Sequence, residues 1–177
     1  MQRSIFIFLM LLDLAQAGYA QQPDKTTRKE LERVVADFMK SIKTKDSTTF
    51  YQLFHSAPVV WIGVDKEKSF LHFQQQNSQA KKNYFSSSPR SFFKGIIEDS
   101  RQQEERFYNL VMTGDERVAT ITFDYSFWWD GKKQNWGKES WALIRANGEW
   151  KITTVLFSIE MENVVPEPSP VKGMGKR

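Results

Sequence analysis

The chain has 177 residues, 40% of them hydrophobic and 14% aromatic, which is material for one ordinary domain with a proper core. The net charge of +4 is mild, and basic residues sit among acidic ones, as in residues 29–33 (KELER), so no electrostatic footprint for nucleic acid stands out. The absence of cysteine excludes disulfides and a lipid-modified cysteine at an export site.

Residues 1–20 have the form of a signal peptide: Arg3 supplies the positive start, Ile5 to Leu12 an apolar run, and Gly18-Tyr19-Ala20 the small residues a signal peptidase needs. The run is too short to serve as a membrane anchor. Cleavage after Ala20 is expected, leaving Gln21 first in a periplasmic or secreted protein, because an exported domain without disulfides reads as bacterial. After a short lead over 21–26, Thr27 and Glu30 have the spacing of a capping box. Leu31, Val34, Val35, Phe38 and Ile42 then follow the i, i+3, i+4, i+7 rule of one buried helix face. Asp46-Ser47 restarts a shorter helix carrying Phe50, Leu53 and Phe54, which Pro58 ends. The run Val59-Val60-Trp61-Ile62 predicts a buried strand. Between Phe70 and Phe85 the pattern suits a helix diluted by Gln and Asn, and Ser86 to Pro89 reads as a loop.

Beyond Pro89 the period becomes two. Arg106 to Met112 alternates, residues 113–116 turn, and Val118 to Trp129 alternates with Ala119, Ile121, Phe123, Tyr125, Phe127 and Trp129 on one face. Asp130-Gly131 is a hairpin signal, Trp136 to Ile144 returns, residues 146–148 turn again, and Trp150 to Ile159 completes the meander. The Pro- and Gly-rich tail over 163–177 is expected to lack structure. One domain over 27–162 is therefore expected, of α+β class, with N-terminal helices packed on an antiparallel sheet.

The stretch Gly137-Lys-Glu-Ser-Trp141-Ala-Leu143 to Gly148-Glu-Trp150-Lys-Ile152, followed by Ser158, resembles the C-terminal hairpin of the nuclear transport factor 2-like superfamily, which includes SnoaL-like and ketosteroid-isomerase-like proteins. The helical opening that runs to Leu53-Phe54 is similar to that family's first two helices, so the resemblance covers most of Thr27 to Met161. It implies a strongly curved sheet wrapped around the helices into a cone with an apolar pocket, and frequent homodimers through the sheet. It does not imply one activity, since the fold hosts isomerases, dehydratases, hydrolases, carriers and assembly modules. Enzymes of the family put an acid–base group in the cone, as ketosteroid isomerase does with two aspartates. Many members carry a polar side chain, often His, six residues after the equivalent of Trp150. Here that residue is Leu156, which cannot transfer a proton.

The remaining candidates are few. Tyr51 and His55 have the spacing of one helix face and so form a candidate proton-transfer pair. Glu139 shares the parity of Trp141 and Leu143, which puts a carboxylate in the cone, where desolvation would raise its pKa. The two histidines and the acidic residues form no ligand set of recognisable spacing, and no glycine-rich phosphate loop or Ser-centred elbow occurs, so neither metal nor cofactor is expected. By parity Trp128 and Trp136 face outward, toward a dimer partner, local packing or a ligand. The favoured reading is an exported binding module. Phe38, Phe54, Trp61, Tyr125, Glu139 and Trp141 would hold a small apolar or amphipathic molecule, or the domain would engage a partner protein. The alternative is a pocket isomerase, lyase or hydrolase that uses Glu139 or the Tyr51–His55 pair.

Overall fold

A computed structural model describes residues 21–169; the expected signal peptide and its cleavage point lie outside them. Helix α1 spans Lys25–Thr44 and α2 spans Ser47–Gln52. Strand β1 (Val60–Asp65), helix α3 (Glu67–Gln76), strand β2 (Tyr84–Ser86) and helix α4 (Pro89–Glu98) follow. Four long strands close the chain: β3 (Gln103–Gly114), β4 (Val118–Trp129), β5 (Lys132–Ala146) and β6 (Glu149–Met161). They form one six-stranded sheet in the order β2-β1-β6-β5-β4-β3, an α+β architecture with α1 and α2 on the concave face, α4 packed on α2, and α3 bonded to the end of β6 through Ser69. No helix among the described residues is long and apolar enough to cross a membrane.

Capping decides where the first helices begin. Asp24, not Thr27, is the N-cap of α1: its carboxylate accepts from the Thr27 backbone N–H at 2.8 Å. Glu30, expected to close a capping box, instead reaches across to Arg145 and to the Trp150 indole at 3.0 and 3.1 Å. Asp46 caps α2 as its position suggests. The buried face of α1 is the expected one, with Leu31, Val34, Val35, Phe38 and Ile42 all in the core. Helix α4 has no counterpart in the reading of the sequence. Ser88 caps it, Pro89 opens it, and it buries Phe93 and Ile96.

The sheet is mixed, because β1 runs parallel to β6 while every other pairing is antiparallel. Two tight turns join the last three strands. Asp130-Gly131 and Asn147-Gly148 all have positive φ, which matches the twist of the flanking strands. Three bulges bend the sheet: residues 109–110 in β3, Gln134 in β5 and Thr153 in β6 each put an extra residue against the neighbouring strand. The concave face encloses α1 and α2 and holds Phe38, Phe50, Phe93, Phe123, Trp141, Ile152 and Val155 at the centre of the core.

The chain beyond residue 163, expected to lack structure, folds back along the convex face as far as Ser169. Val164 and Val165 donate to the Met161 carbonyl, and the Trp136 indole donates to the Val165 carbonyl at 2.9 Å. The prolines that suggested disorder instead hold a short extended strap, since each removes a backbone donor and fixes φ.

Candidate functional site

Strands β4 and β5 bring the inward-facing candidates together. Phe38 from α1 packs on Trp141 of β5, with ring centroids 4.8 Å apart, and on Phe54, 6.3 Å away. Phe54 touches Trp61 of β1, Trp61 touches Phe157 of β6, and Phe157 meets Tyr125 edge-on at 6.2 Å. The Trp141 indole donates to the Glu139 carboxylate at 2.6 Å. All six residues are buried, so Phe38, Phe54, Trp61, Tyr125, Glu139 and Trp141 form one continuous interior. The protein's own rings fill that interior, with Phe92 and Phe107 stacked into the spaces between them.

Glu139 is 4% exposed, and Glu105 of β3 joins it at 7%. Phe123 faces Glu139 and Phe127 faces Glu105 across the strands, so the two carboxyls flank Tyr125 on the concave side of the sheet. Loss of water pushes the Glu139 carboxyl up to about 8, opposed by the hydrogen bond from Trp141. Desolvation and then the neighbouring Glu139 charge drive Glu105 well above the ordinary carboxylate range. Glu139 is therefore mostly protonated at pH 7, Glu105 is pushed the same way, and a protonated carboxyl can donate a hydrogen bond. The Tyr125 hydroxyl is likewise held far above its usual range, mainly by burial and then by Glu139. That hydroxyl donates to the Ser158 backbone carbonyl at 3.0 Å. Gly137 permits the approach: a Cβ there would lie 1.8 Å from the Ser158 oxygen and 3.0 Å from the Tyr125 ring.

Glu105 is the residue the sequence reading missed. It sits inside the charged triplet Glu104-Glu105-Arg106, and the expected strand began only at Arg106. Extending the alternation back from Phe107 by one step would have found it. A surface cleft of about 320 Å³ between α1 and β3, lined by Met39, Lys40, Lys43 and Phe107 among others, reaches Glu105 from outside.

Two other expectations are corrected. Leu156 does not occupy a position in the cone. The Thr153 bulge reverses the alternation after Ile152, so Val155 and Phe157 turn inward while Leu156 is 43% exposed on the convex face. Its inability to move a proton therefore carries no weight against chemistry inside the cone. The Tyr51–His55 pair is separated, because α2 ends at Gln52 and His55 lies beyond it. His55 Nδ1 accepts from the Ala57 backbone N–H at 3.0 Å, whereas Tyr51 packs edge-on against Phe93.

The outward tryptophans are covered locally. Lys66 Nζ stands 3.8 Å from the Trp136 ring centroid, and Arg106 lies 4.0 Å from that of Trp128. Trp129, expected to continue the inward face, is capped by Arg101 at 3.6 Å, and its buried indole N–H has no partner among the described residues. His, Cys, Asp and Glu side chains make no cluster of three able to hold a metal among the described residues.

No family profile matches the sequence. No curated protein is similar to it. Among solved structures, a Nostoc punctiforme protein of unknown function with a cystatin-like fold superposes with a TM-score of 0.57 at 12% identity, over 79% of this chain and 96% of that one. A nuclear transport factor 2-like superfamily protein from Salmonella enterica gives 0.54 at 17% identity, over 85% and 98% of the two chains. A Novosphingobium aromaticivorans protein that bears the provisional name scytalone dehydratase gives 0.55 at 13% identity, over 77% and 85%. Identities this low speak to architecture alone. With its curved sheet, enclosed helices and these structural neighbours, the chain has the cystatin-like fold of the nuclear transport factor 2-like superfamily.

Proposed function

We propose that the cone binds a small, largely apolar molecule carrying a carbonyl or hydroxyl group, and that it does so without transforming it. The observation that supports this reading is the convergence of Glu105, Glu139 and Tyr125 in an otherwise aromatic interior. Apolar walls with a few converging polar groups of shifted pKa are the usual form of a small-molecule site. A neutral Glu105 or Glu139 would donate to the ligand's oxygen, and the surrounding rings would supply contact area. The ligand enters from the existing cleft at Glu105 and occupies the space that Met39 and Phe107 vacate, since the rings fill the interior until those two half-buried side chains swing aside. The same reading includes export of the chain and a homodimer formed through the convex sheet face, where Val64, Val111, Val118 and Leu156 are exposed.

One observation favours a second reading, a proton-transferring enzyme. A carboxyl held at about 8 is close enough to neutrality to act as either acid or base. A panel of apolar ketones, alcohols and enones, screened by thermal shift, separates the two. Each hit is then followed for chemical change with the wild type and with Glu139→Gln. Binding by both proteins with no product supports the binding module. Turnover by the wild type and none by the variant establishes the enzyme instead. A panel with no hits at any workable concentration would refute the interior site itself.

A further inference from the structure

A second site lies on the convex face, independent of the interior one. A groove of about 790 Å³ runs along the outer ends of β4, β5 and β6, and its walls include Lys66, Lys133, Lys138, Tyr108 and Trp136. The strap described above forms one of its walls. Glu167, at the strap's tip, is the side chain that enters: one carboxylate oxygen accepts from the Tyr108 hydroxyl and the other from Lys133 Nζ at 2.5 Å. Its backbone N–H is held in turn by the Glu162 carboxylate at 3.0 Å. Pro166 and Pro168 flank it and extend the chain, so the strap presents a carboxylate between two apolar rings.

The groove's charge is not balanced by its own walls. Lys138 pairs with Asp124, and Lys133 is satisfied by the strap. Lys66 has no carboxylate partner among the described residues; its ammonium lies over the Trp136 indole, which is itself tied to the strap through the Val165 carbonyl. Withdrawing Glu167 would leave Lys66, Lys133 and Lys138 facing two carboxylates, Asp124 beside Lys138 and Glu162 at 3.9 Å from Lys133. Lysine ammonium groups, a phenol hydroxyl and an indole face together make a surface for an anion attached to a flat apolar body.

We propose that this groove is a carboxylate-binding site for small aromatic acids, occupied in the resting protein by the chain's own Glu167. An incoming aromatic carboxylate takes the place of the Glu167 carboxylate between Lys133 and Tyr108. Lys66 swings off the Trp136 face to pair with that carboxylate, the ligand's ring takes its place on the indole, and the strap lifts away. The strap therefore sets the affinity by competition: it lowers the apparent affinity by the factor by which the closed form outweighs the open one.

The probe is 2-naphthoate, with neutral 2-naphthylmethanol as its control, titrated into the full chain by calorimetry while the Trp136 indole N–H is followed by NMR. Glu167→Gln keeps the size of the side chain and removes its charge, so it should bind 2-naphthoate at least about ten-fold more tightly than the wild type. Adding Lys66→Gln to that variant should abolish most of the gain, and the neutral alcohol should discriminate little among the three proteins. Saturation should shift the Trp136 indole resonance as its bond to Val165 is lost. Near-native NMR spectra of the unliganded variants confirm that each is folded. Equal affinity in the wild type and Glu167→Gln overturns the proposal, as does a gain that survives Lys66→Gln. So does the absence of binding by every variant up to the solubility of the probe.

Discussion

Glu139→Gln should flatten the dependence of stability on pH. In the folded chain the Glu139 carboxyl titrates at about 8, against an ordinary value of 4.5. Between those two values the native state holds a proton that the unfolded chain has released, so stability falls as pH rises. The contribution is fully present below 4.5 and is lost as pH climbs through about 8. One such proton changes stability by about 1.4 kcal/mol per pH unit, or ~3 kcal/mol between about pH 5.5 and about pH 7.5. Glu105 shifts in the same direction for the same reason, so the wild type should lose more than this over that interval. The amide of Gln can still accept from the Trp141 indole, which keeps the packing intact. Urea unfolding of both proteins at the two pH values is the assay. The wild type should lose about 3 kcal/mol more than the variant, and at the higher pH the variant should be the more stable of the two. Parallel pH profiles would refute the claim that a desolvated, protonated carboxyl sits inside the cone.

Trp141→Ala should destabilise by about 3–5 kcal/mol, the cost of emptying a large aromatic site, and it also removes the hydrogen bond to Glu139. Trp128→Ala, on the convex face, should cost well under that; equal shifts in the urea midpoint would contradict the assignment of faces. Gly137→Ala should destabilise by more than about 1 kcal/mol through contact with the Ser158 carbonyl, and the environment of Tyr125 should change in near-ultraviolet circular dichroism. Leu156→Glu should break the proposed homodimer without unfolding the subunit, as read by sedimentation; an unchanged sedimentation coefficient would place any dimer elsewhere. Mass spectrometry of protein from its native compartment should find Gln21 as the first residue, and an intact Met1 there would exclude the expected cleavage.

The helix faces were legible because a period of 3.6 marks one stripe: Leu31, Val34, Val35, Phe38 and Ile42 are all in the core. The β4 strand was legible too, since Ala119 to Tyr125 keep strict parity over an uninterrupted ladder. The expectations that failed did so at local interruptions. Helix α4 was hidden because its ten residues lie between a serine run and a charged strand, and two adjacent phenylalanines do not fix a period. The cap of α1 moved because the Asp24 carboxylate, a stronger acceptor than a hydroxyl, takes the backbone N–H of Thr27 itself and so draws Thr27 into the first turn of the helix. Of the candidate site, Tyr125 and Glu139 were readable from parity, whereas Glu105 was lost with the start of its strand. The strap was misread because its prolines look alike in a free tail and in a docked one; what separates the two is Glu167 meeting Lys133 and Tyr108, partners that lie more than thirty residues away in sequence.

The bulges link those errors to function. A sheet that kept strict alternation through β6 would have put Leu156 inside and Val155 outside. Thr153 breaks the alternation in the middle of β6, and the strand bends where it does so. Together with the bulges in β3 and β5 this bend curves the sheet around α1, which keeps the side chains of Glu105 and Glu139 out of water, where carboxyls titrate near their ordinary values. The irregularity that defeats the parity rule therefore also contributes to the curvature that buries the shifted acids. A direct consequence is that removing Thr153 should restore alternation, flatten β6 and expose the pair. In that deletion variant the extra pH-dependence of stability assigned to Glu139 should disappear even though Glu139 remains in the sequence. If the variant folds and still loses stability between about pH 5.5 and about pH 7.5 as the wild type does, curvature is not what desolvates the acids. Should the deletion fail to fold, Thr153→Gly gives the same test in milder form: it keeps the residue count and loosens the bend, so the slope should shrink without vanishing.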